Sequence, residues 1–285
     1  MSDKKVSREI KRNFIQLMAA AVLNGYAIGF KEGKIFKGPT KKICVPVLNC
    51  YSCPGALGAC PIGSMQSILC GNGSRVSFYI LGVLMLFGVL LGRGVCGFLC
   101  PFGLIQGLIY KIPFIKKNLP RKTDSILRYV KYLILILFVV LLPIFARNQY
   151  GIGTTWFCKY ICPAGTLEAG VPLLIMNASL RSTIGGLFYW KISILLVIIL
   201  ASLVTYRPFC KYLCPLGAFY GLFSKVSIMR LELDKSACTN CKACEKKCDM
   251  QVEITKNINS AECIQCGKCT DVCPNGAIKR VFGLK

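Results

Sequence analysis

Long apolar runs alternate with short basic segments along most of this chain. Four of the runs are long enough to cross a bilayer as helices, which takes about 17 to 25 residues. They are Phe14–Phe30, Val76–Gly92, Tyr129–Ala146 and Leu187–Tyr206. The pattern therefore predicts a mostly α fold, an integral membrane helical bundle of about four spanning helices. The first run is the weakest, because Asn24 and two glycines interrupt it.

Three shorter apolar runs each begin with a proline, which is a favourable first residue of a helix. They are Pro101–Ile115, Pro163–Ile175 and Pro215–Phe223. Because they are short for a span, we expect re-entrant or interfacial helices. If they span fully, the number of spanning helices rises and the sidedness described below changes.

The last part of the chain has a different character. Residues 231–285 are polar and rich in cysteine, and no apolar run there is long enough to span a membrane. The sequence therefore predicts two domains, a membrane domain over residues 1–230 and a small α+β domain over residues 231–285.

Composition supports a membrane location. Hydrophobic residues make up 54% of the chain, yet the formal net charge is +24. Basic residues flanking apolar spans are typical of membrane proteins in contact with lipid, and no nucleic-acid recognition motif accompanies the charge. The predicted loops on the N-terminal side carry a modest excess of Lys and Arg, which predicts a multi-pass protein of the cytoplasmic membrane with both termini cytoplasmic. We expect the basic start and first run to be a span, not a cleaved signal peptide.

Sulfur carries the candidate chemistry. The chain has 19 cysteines and no histidine, which excludes histidine-ligated haem, histidine-containing zinc sites and Cys-His catalysis. The strongest motif is C-x2-C-x2-C-x3-C, found in "CTNCKACEKKCD" from Cys238 and in "CIQCGKCTDVCP" from Cys263. This is the spacing of bacterial ferredoxins with two [4Fe–4S] clusters, in which the fourth cysteine of each run binds the other cluster. Zinc sites and disulfides explain two complete tandem runs poorly.

The spacing predicts two sets of cluster ligands. One is Cys238, Cys241, Cys244 and Cys273, and the other is Cys263, Cys266, Cys269 and Cys248. Because such clusters are assembled in the cytoplasm, they also favour a cytoplasmic C-terminus.

A second phrase, C-x-x-x-C-P-x-G, occurs three times, as "CGFLCPFG" from Cys96, "CKYICPAG" from Cys158 and "CKYLCPLG" from Cys210. Residues four apart on a helix share a face, so each phrase presents two sulfurs side by side. With four spans, the first and third phrases lie on the cytoplasmic side. Cys96, Cys100, Cys210 and Cys214 are therefore predicted to form an inner four-cysteine metal centre.

The middle phrase lies on the outer side, where the loop "NCYSCPGALGACPIGS" offers partners. We expect an outer centre of Cys53, Cys60, Cys158 and Cys162. Cys50 competes with Cys53, while Cys44 and Cys70 are left over. Whether the membrane sites hold one iron, a cluster or, on the oxidising outer side, a disulfide stays open. Buried cysteines that only fill space are the remaining alternative.

These motifs resemble the NapH-type membrane polyferredoxin family, whose relatives include the membrane ferredoxin parts of NosR and CcoG. The resemblance covers Cys96 to Pro274. It implies electron transfer between a quinol or cytoplasmic donor and a redox partner outside the cytoplasm. It also implies that the eight C-terminal cysteines are cluster ligands, and that the pairs Cys96/Cys100 and Cys210/Cys214 are the signature motif of the family. The third full phrase, at Cys158, departs from the two-motif version.

The function expected from this resemblance is that of an electron-transfer subunit, not of a stand-alone enzyme. Its cofactors are expected to be two [4Fe–4S] clusters and additional iron or iron–sulfur centres, and its partners redox proteins within a membrane complex. A flavoprotein partner and quinol are open, with Glu168 the candidate quinol proton acceptor. The alternative function is a membrane-anchored redox sensor or metallocentre assembly factor.

Overall fold

The computed structural model describes residues 2–71, 77–117, 119–182 and 184–283, with side chains from residue 8 onward. Val76, the predicted start of the second span, lies outside the described residues, as do Met1 and Lys285 at the ends of the predicted domains. The described chain is mostly helical, with one small sheet.

Twelve helices can be followed through the described residues. In chain order they are α1 (Ser2–Leu23), α2 (Ala27–Glu32), α3 (Pro61–Leu69), α4 (Phe78–Leu91), α5 (Gly94–Phe98), α6 (Pro101–Ile109), α7 (Arg121–Phe145), α8 (Pro163–Met176), α9 (Ala178–Arg181), α10 (Gly186–Val204), α11 (Pro215–Phe223) and α12 (Ala243–Lys246). A short 3-10 turn forms at Pro39–Lys42, and π-helical turns form at Phe157–Ile161 and Phe209–Leu213. Further π-helical stretches lie inside α7 (Leu135–Leu141) and α8 (Thr166–Gly170).

Two helices of the described residues are long and apolar enough to cross a membrane. They are α7 and α10, which contain most of the third and fourth predicted spans. Large apolar side chains such as Ile136, Val197 and Leu200 are exposed on them, as expected of faces that contact lipid. By contrast, α4 has only 14 residues. The four-span bundle therefore stays a prediction.

The first predicted span is not one continuous helix. Helix α1 begins well before Phe14, in the charged N-terminal segment, and ends at Leu23. Past that point the Leu23 carbonyl accepts a hydrogen bond from Leu57 N–H (2.9 Å), and Tyr26 N–H donates to the Gly55 carbonyl (3.2 Å). The loop that contains the first cysteines therefore ends α1 by taking over its free backbone groups.

Four Cys-Pro steps turn the chain into a helix. Cys60, Cys100, Cys162 and Cys214 have extended backbone angles, and the following prolines are the first residues of α3, α6, α8 and α11. Proline fits this position because its missing N–H would have no partner in the first turn. The helices thus begin at the prolines that the sequence singled out, and each places a cysteine at its N-terminus.

The C-terminal part of the chain is closed by two antiparallel strands, β1 (Met229–Leu233) and β2 (Ile278–Phe282). Leu231 pairs with Arg280 in this register. The cysteine-rich segment lies between the two strands in sequence. Its buried apolar residues include Met250, Val252, Ile254 and Ile264.

This cysteine-rich segment is held against the helices by buried charges. Glu262 is bonded by Arg93 (2.8 Å) and by Lys131 (2.5 Å), and both cationic side chains are fully buried. Burial alone would raise the pKa of Glu262, but the charges of Arg93 and Lys131 hold it below its ordinary value. Close contact also needs Gly97, since a Cβ there would lie 2.3 Å from the Ile264 carbonyl oxygen.

Candidate iron–sulfur sites

The structure brings one predicted ferredoxin ligand set together. Burial, together with the nearby Cys266 thiol, raises the pKa of Cys248 to about 11 and that of Cys269 to about 12. Burial and the nearby thiols of Cys266 and Cys248 raise the pKa of Cys263 in the same way. Buried thiols this close to one another repel when ionised, so they become thiolate ligands only around a positive metal group.

Less of the second ferredoxin set is buried. The Cys273 thiol lies close enough to raise the pKa of Cys244, after the larger effect of burial. Cys241 is exposed at the surface, and Cys238 is half-buried. This set therefore lies at the solvent side of the segment, whereas the Cys263 set lies at its helix-facing side beside Ile264.

The inner set is buried and compact. Its members are Cys96, Cys100, Cys210 and Cys214, each 4–6% exposed. Burial and the thiols of its three partners raise the pKa of Cys214 well above the ordinary value. Two buried arginine side chains donate hydrogen bonds to backbone carbonyls of this set. Arg93 donates to the Cys210 carbonyl (2.9 Å), and Arg207 donates to the Cys96 carbonyl (2.7 Å). The positive charges of Arg93 and Arg207 oppose the effect of burial on the pKa of Cys210, because a nearby cation favours the thiolate.

The outer set contains a cysteine different from the one predicted. The thiols that lie together belong to Cys50, Cys60, Cys158 and Cys162. After burial, the thiols that most raise the pKa of Cys162 are Cys158 and Cys50. A Cβ on Gly165 would lie 3.5 Å from Cys50 Sγ, which places Cys50 against the Cys162 phrase. Cys53, in contrast, donates a hydrogen bond to Asn24 Oδ1 (3.6 Å).

A buried glutamine, which was not predicted from the sequence, contacts the inner set. Gln106 lies six residues after Cys100 on α6 and is 2% exposed. Its side-chain nitrogen donates to Cys210 Sγ (3.2 Å), and its oxygen accepts from Phe209 N–H (3.1 Å). One side chain thus fixes both a thiol and the π-helical turn that carries it.

The outer set repeats this arrangement. Gln66 lies six residues after Cys60 and is fully buried. Its nitrogen donates to Cys158 Sγ (3.4 Å), and its oxygen accepts from Phe157 N–H (3.0 Å). The two sets are therefore built on the same local plan, C-P-x-G-x-x-Q against F-C-K-Y-x-C-P.

The other two phrases also place a polar residue six positions after their second cysteine. In α8 this residue is Glu168, which accepts a hydrogen bond from Cys50 N–H (2.7 Å) and whose pKa burial raises to about 7. In α11 it is Tyr220, fully buried, which donates to the Pro46 carbonyl (2.8 Å). These two hydrogen bonds hold the segment that contains Pro46 and Cys50. Glu168 therefore lies beside the thiols of the outer set.

The residues around the thiols fit an iron–sulfur group. Every ligand candidate is a thiol, the donor that iron–sulfur clusters require. Beside the outer set, both amide atoms of Asn49, the Thr166 hydroxyl and Glu168 Oε1 are buried without a partner among the described residues. Such polar atoms need a hydrogen-bonding neighbour, which a bound group would supply. Beside the inner set, the Nε atoms of Arg93 and Arg207 are likewise buried without a hydrogen-bond partner among the described residues.

Two simpler arrangements are not formed. All the cysteines are free thiols, so the disulfide alternative for the outer side does not occur in this structure. In the part of the chain that the structure describes, no three Cys, Asp or Glu side chains are grouped so that they could share a single metal ion.

Comparisons with known proteins decide the family. A family model described as a 4Fe-4S binding domain matches residues 76–122, 131–172 and 187–233, which contain the three C-x-x-x-C-P phrases. A second 4Fe-4S binding domain model matches residues 256–279. An uncharacterized protein of Methanocaldococcus jannaschii, MJ0750, is 34% identical over 72% of this chain and 79% of its own length. The ferredoxin-type protein NapH of Haemophilus influenzae is 24% identical over 69% of this chain and 65% of its own.

The chain belongs to the NapH-type polyferredoxin family. This confirms the resemblance inferred from the cysteine motifs. Another relative, the putative electron transport protein YccM of Escherichia coli K12, is 26% identical over 68% of this chain and 52% of its own length. The chain thus spans about half to two thirds of these two named relatives. No solved structure matches it.

Proposed function

We propose that this chain is a membrane-bound iron–sulfur electron-transfer protein. Electrons pass between a cytoplasmic or quinol donor and an extracytoplasmic redox partner. The relatives named as ferredoxin-type and electron transport proteins support this role. The ferredoxin sets would hold two [4Fe–4S] clusters, and the inner and outer sets would each hold a further cluster. Iron–sulfur clusters supply one-electron transfer when bound, while the protein sets their positions and surroundings.

The observation that carries this proposal is the shared plan of the inner and outer sets. Gln66 and Gln106 make equivalent bonds to Cys158 and Cys210. Packing cysteines would not require the same glutamine to bridge a thiol and a backbone N–H twice.

The centres form a short series. Cluster ligand Cys263 precedes Ile264, whose carbonyl packs on Gly97 beside Cys96 of the inner set. Tyr220 then joins the inner and outer sets, because its helix begins after Cys214 and its hydroxyl bonds the Pro46 carbonyl, four residues before Cys50. Burial and the thiols of both sets, Cys96 and Cys60 included, raise the pKa of Tyr220. A path of packed and hydrogen-bonded groups therefore runs from the Cys263 set through the inner set to the outer set.

The inner and outer sets contact nearby positions of helix α1. Gln16 of α1 donates to the Cys100 carbonyl, and Leu23 accepts from Leu57 in the outer loop. These positions are seven residues apart on one helix, about 10 Å at a rise of about 1.5 Å per residue. The hydrocarbon core of a bilayer is about 30 Å thick. This separation is well below the thickness of the hydrocarbon core, so electrons would need only a short step between the two centres.

Electron transfer across a membrane tests the function. Protein reconstituted in liposomes is expected to reduce enclosed ferricyanide when an impermeant reductant is added on the ferredoxin side. Cys158→Ser should abolish this transfer while the ferredoxin clusters are still reduced, because only the outer set is broken. Cys70→Ser is the matched control, since Cys70 is a buried cysteine outside both sets. Transfer at the wild-type rate in Cys158→Ser would overturn the proposed route.

The fourth outer ligand gives a second prediction. Cys50→Ser is expected to lose the iron of one centre, about four atoms per chain, whereas Cys53→Ser keeps it. The reason is the position of the Cys50 thiol beside Cys158 and Cys162. Iron and acid-labile sulfide in the two purified variants measure the difference, and each variant is the other's control. Loss of iron in Cys53→Ser alone would restore the assignment predicted from the sequence.

A further inference from the structure

An open groove of about 620 Å³ lies between helix α1 and strand β2, beside the predicted ligand Cys266. Its lining is rich in positive charge. The basic residues are Arg8, Lys11 and Arg12 from α1, and Lys279 and Arg280 from β2. Two separate elements therefore converge on one concave surface with five cationic side chains.

Much of this charge is not neutralised by the protein. Arg8 is paired with Asp271, and Arg280 donates to the Gln265 carbonyl. Lys11 and Lys279 are exposed and take part in no ion pair among the described side chains. Arg12 is only 5% exposed, and its Nε has no hydrogen-bond partner among the described residues. A buried guanidinium with an unpartnered N–H lining an open groove favours an anionic ligand.

The groove also has an apolar side. Ile15, Phe98 and Ile278 contribute to its lining. Helix α1 also presents a stripe of large apolar side chains at four-residue spacing, which starts beside the groove and continues past it. All four are exposed: Ile10, Phe14, Met18 and Val22. Positive charge at one end and an uncovered apolar helix face leading away from it match a molecule with an anionic head and long apolar chains.

We propose that this groove binds the headgroup of an anionic phospholipid. The phosphate contacts the basic side chains of α1 and β2, and the acyl chains lie along the exposed stripe of α1. Basic pockets at the cytoplasmic ends of membrane helices suit such headgroups. The bound lipid would join α1 to the ferredoxin segment and place a negative charge beside Cys266. The proposal requires only that the chain lies in a membrane, and it holds whether or not every proposed centre carries a cluster.

Lipid retention tests the proposal. The full chain is purified in detergent, incubated with phosphatidylglycerol or phosphatidylcholine, and examined by native mass spectrometry. The wild type is expected to retain phosphatidylglycerol but not phosphatidylcholine. The double variant Lys11→Gln/Lys279→Gln should lose most of the retained lipid. The double variant Lys242→Gln/Lys247→Gln removes the same charge from exposed lysines away from the groove, and it should retain lipid like the wild type.

Cluster absorbance checks that both variants are folded and loaded. Equal retention of phosphatidylglycerol by the groove variant and the wild type would overturn the proposal. So would a groove variant that keeps its lipid but is reduced more slowly, in a salt-sensitive manner, by an acidic soluble ferredoxin. That second result would make the groove a docking surface for a protein donor.

Discussion

Protein purified anaerobically in detergent is expected to contain about 16 iron atoms and about 16 acid-labile sulfides per chain, since four cubane clusters would be bound. Changing the four inner cysteines to serine should lower both counts by about four. The four substituted residues are Cys96, Cys100, Cys210 and Cys214. The reason is that these buried thiols lie together, so no other cysteine replaces them. Colorimetric iron and sulfide assays on the same sample measure the change.

The control for this measurement is the double variant Cys44→Ser/Cys70→Ser, which changes two buried cysteines outside both sets. Its counts should equal those of the wild type. Sulfide in proportion to iron separates clusters from bare iron. A total of about eight, unchanged in the inner variant, would mean that the repeated phrase only packs the helices. The chain would then be a ferredoxin anchored to a membrane domain without centres of its own.

Replacing Glu262 is expected to have the largest effect on stability. In Glu262→Gln the buried cations Arg93 and Lys131 lose their counter-charge. Removing one partner of a buried ion pair costs about 3–5 kcal/mol, because the remaining charge is left uncompensated. Urea unfolding followed through the absorbance of the ferredoxin clusters measures the loss. We expect the cysteine-rich segment to separate from the helices at lower urea, since Glu262 lies between them.

Glu253→Gln is the matched control, because Glu253 pairs with Arg121 and Lys256 at the exposed surface. It should leave the unfolding midpoint nearly unchanged. Acid gives a second readout. Because the pKa of Glu262 is lowered in the folded protein, its stabilisation is present above the pKa of a free glutamate, about 4.3, and is lost as pH falls through the lowered value. A Glu262→Gln variant as stable as the wild type would show that the network does not hold the two parts together.

Local spacing was enough to predict several features of this protein. Three of the four candidate ligands in each ferredoxin run lie within seven residues, so a short stretch of chain can offer them to a cluster wherever the rest of the protein lies. The helix starts after Cys100, Cys162 and Cys214 were equally predictable, since a proline at a first helical position acts through its own backbone. The four inner cysteines were predicted as one set, and the structure places them together.

Other features depended on contacts distant in sequence. Cys50 and Cys53 compete for the outer set, and nothing local favours Cys50. It joins the outer set because Glu168 and Tyr220 hold that segment from helices more than a hundred residues away. The end of α1 at Leu23 has a similar cause, since Leu57 takes over its carbonyl. A sequence signal for the polar residues did exist: each stands six positions after a Cys-Pro cysteine.

The sequence by itself determined the kind of chemistry, the family and the local ligand motifs, because these rest on residue types at short spacing. Only the tertiary structure decided which thiols lie together on the outer side, how Gln66 and Gln106 contact both sets and where the basic groove lies. Each of these depends on side chains that meet only after the helices pack, and such contacts leave no periodic trace in the sequence.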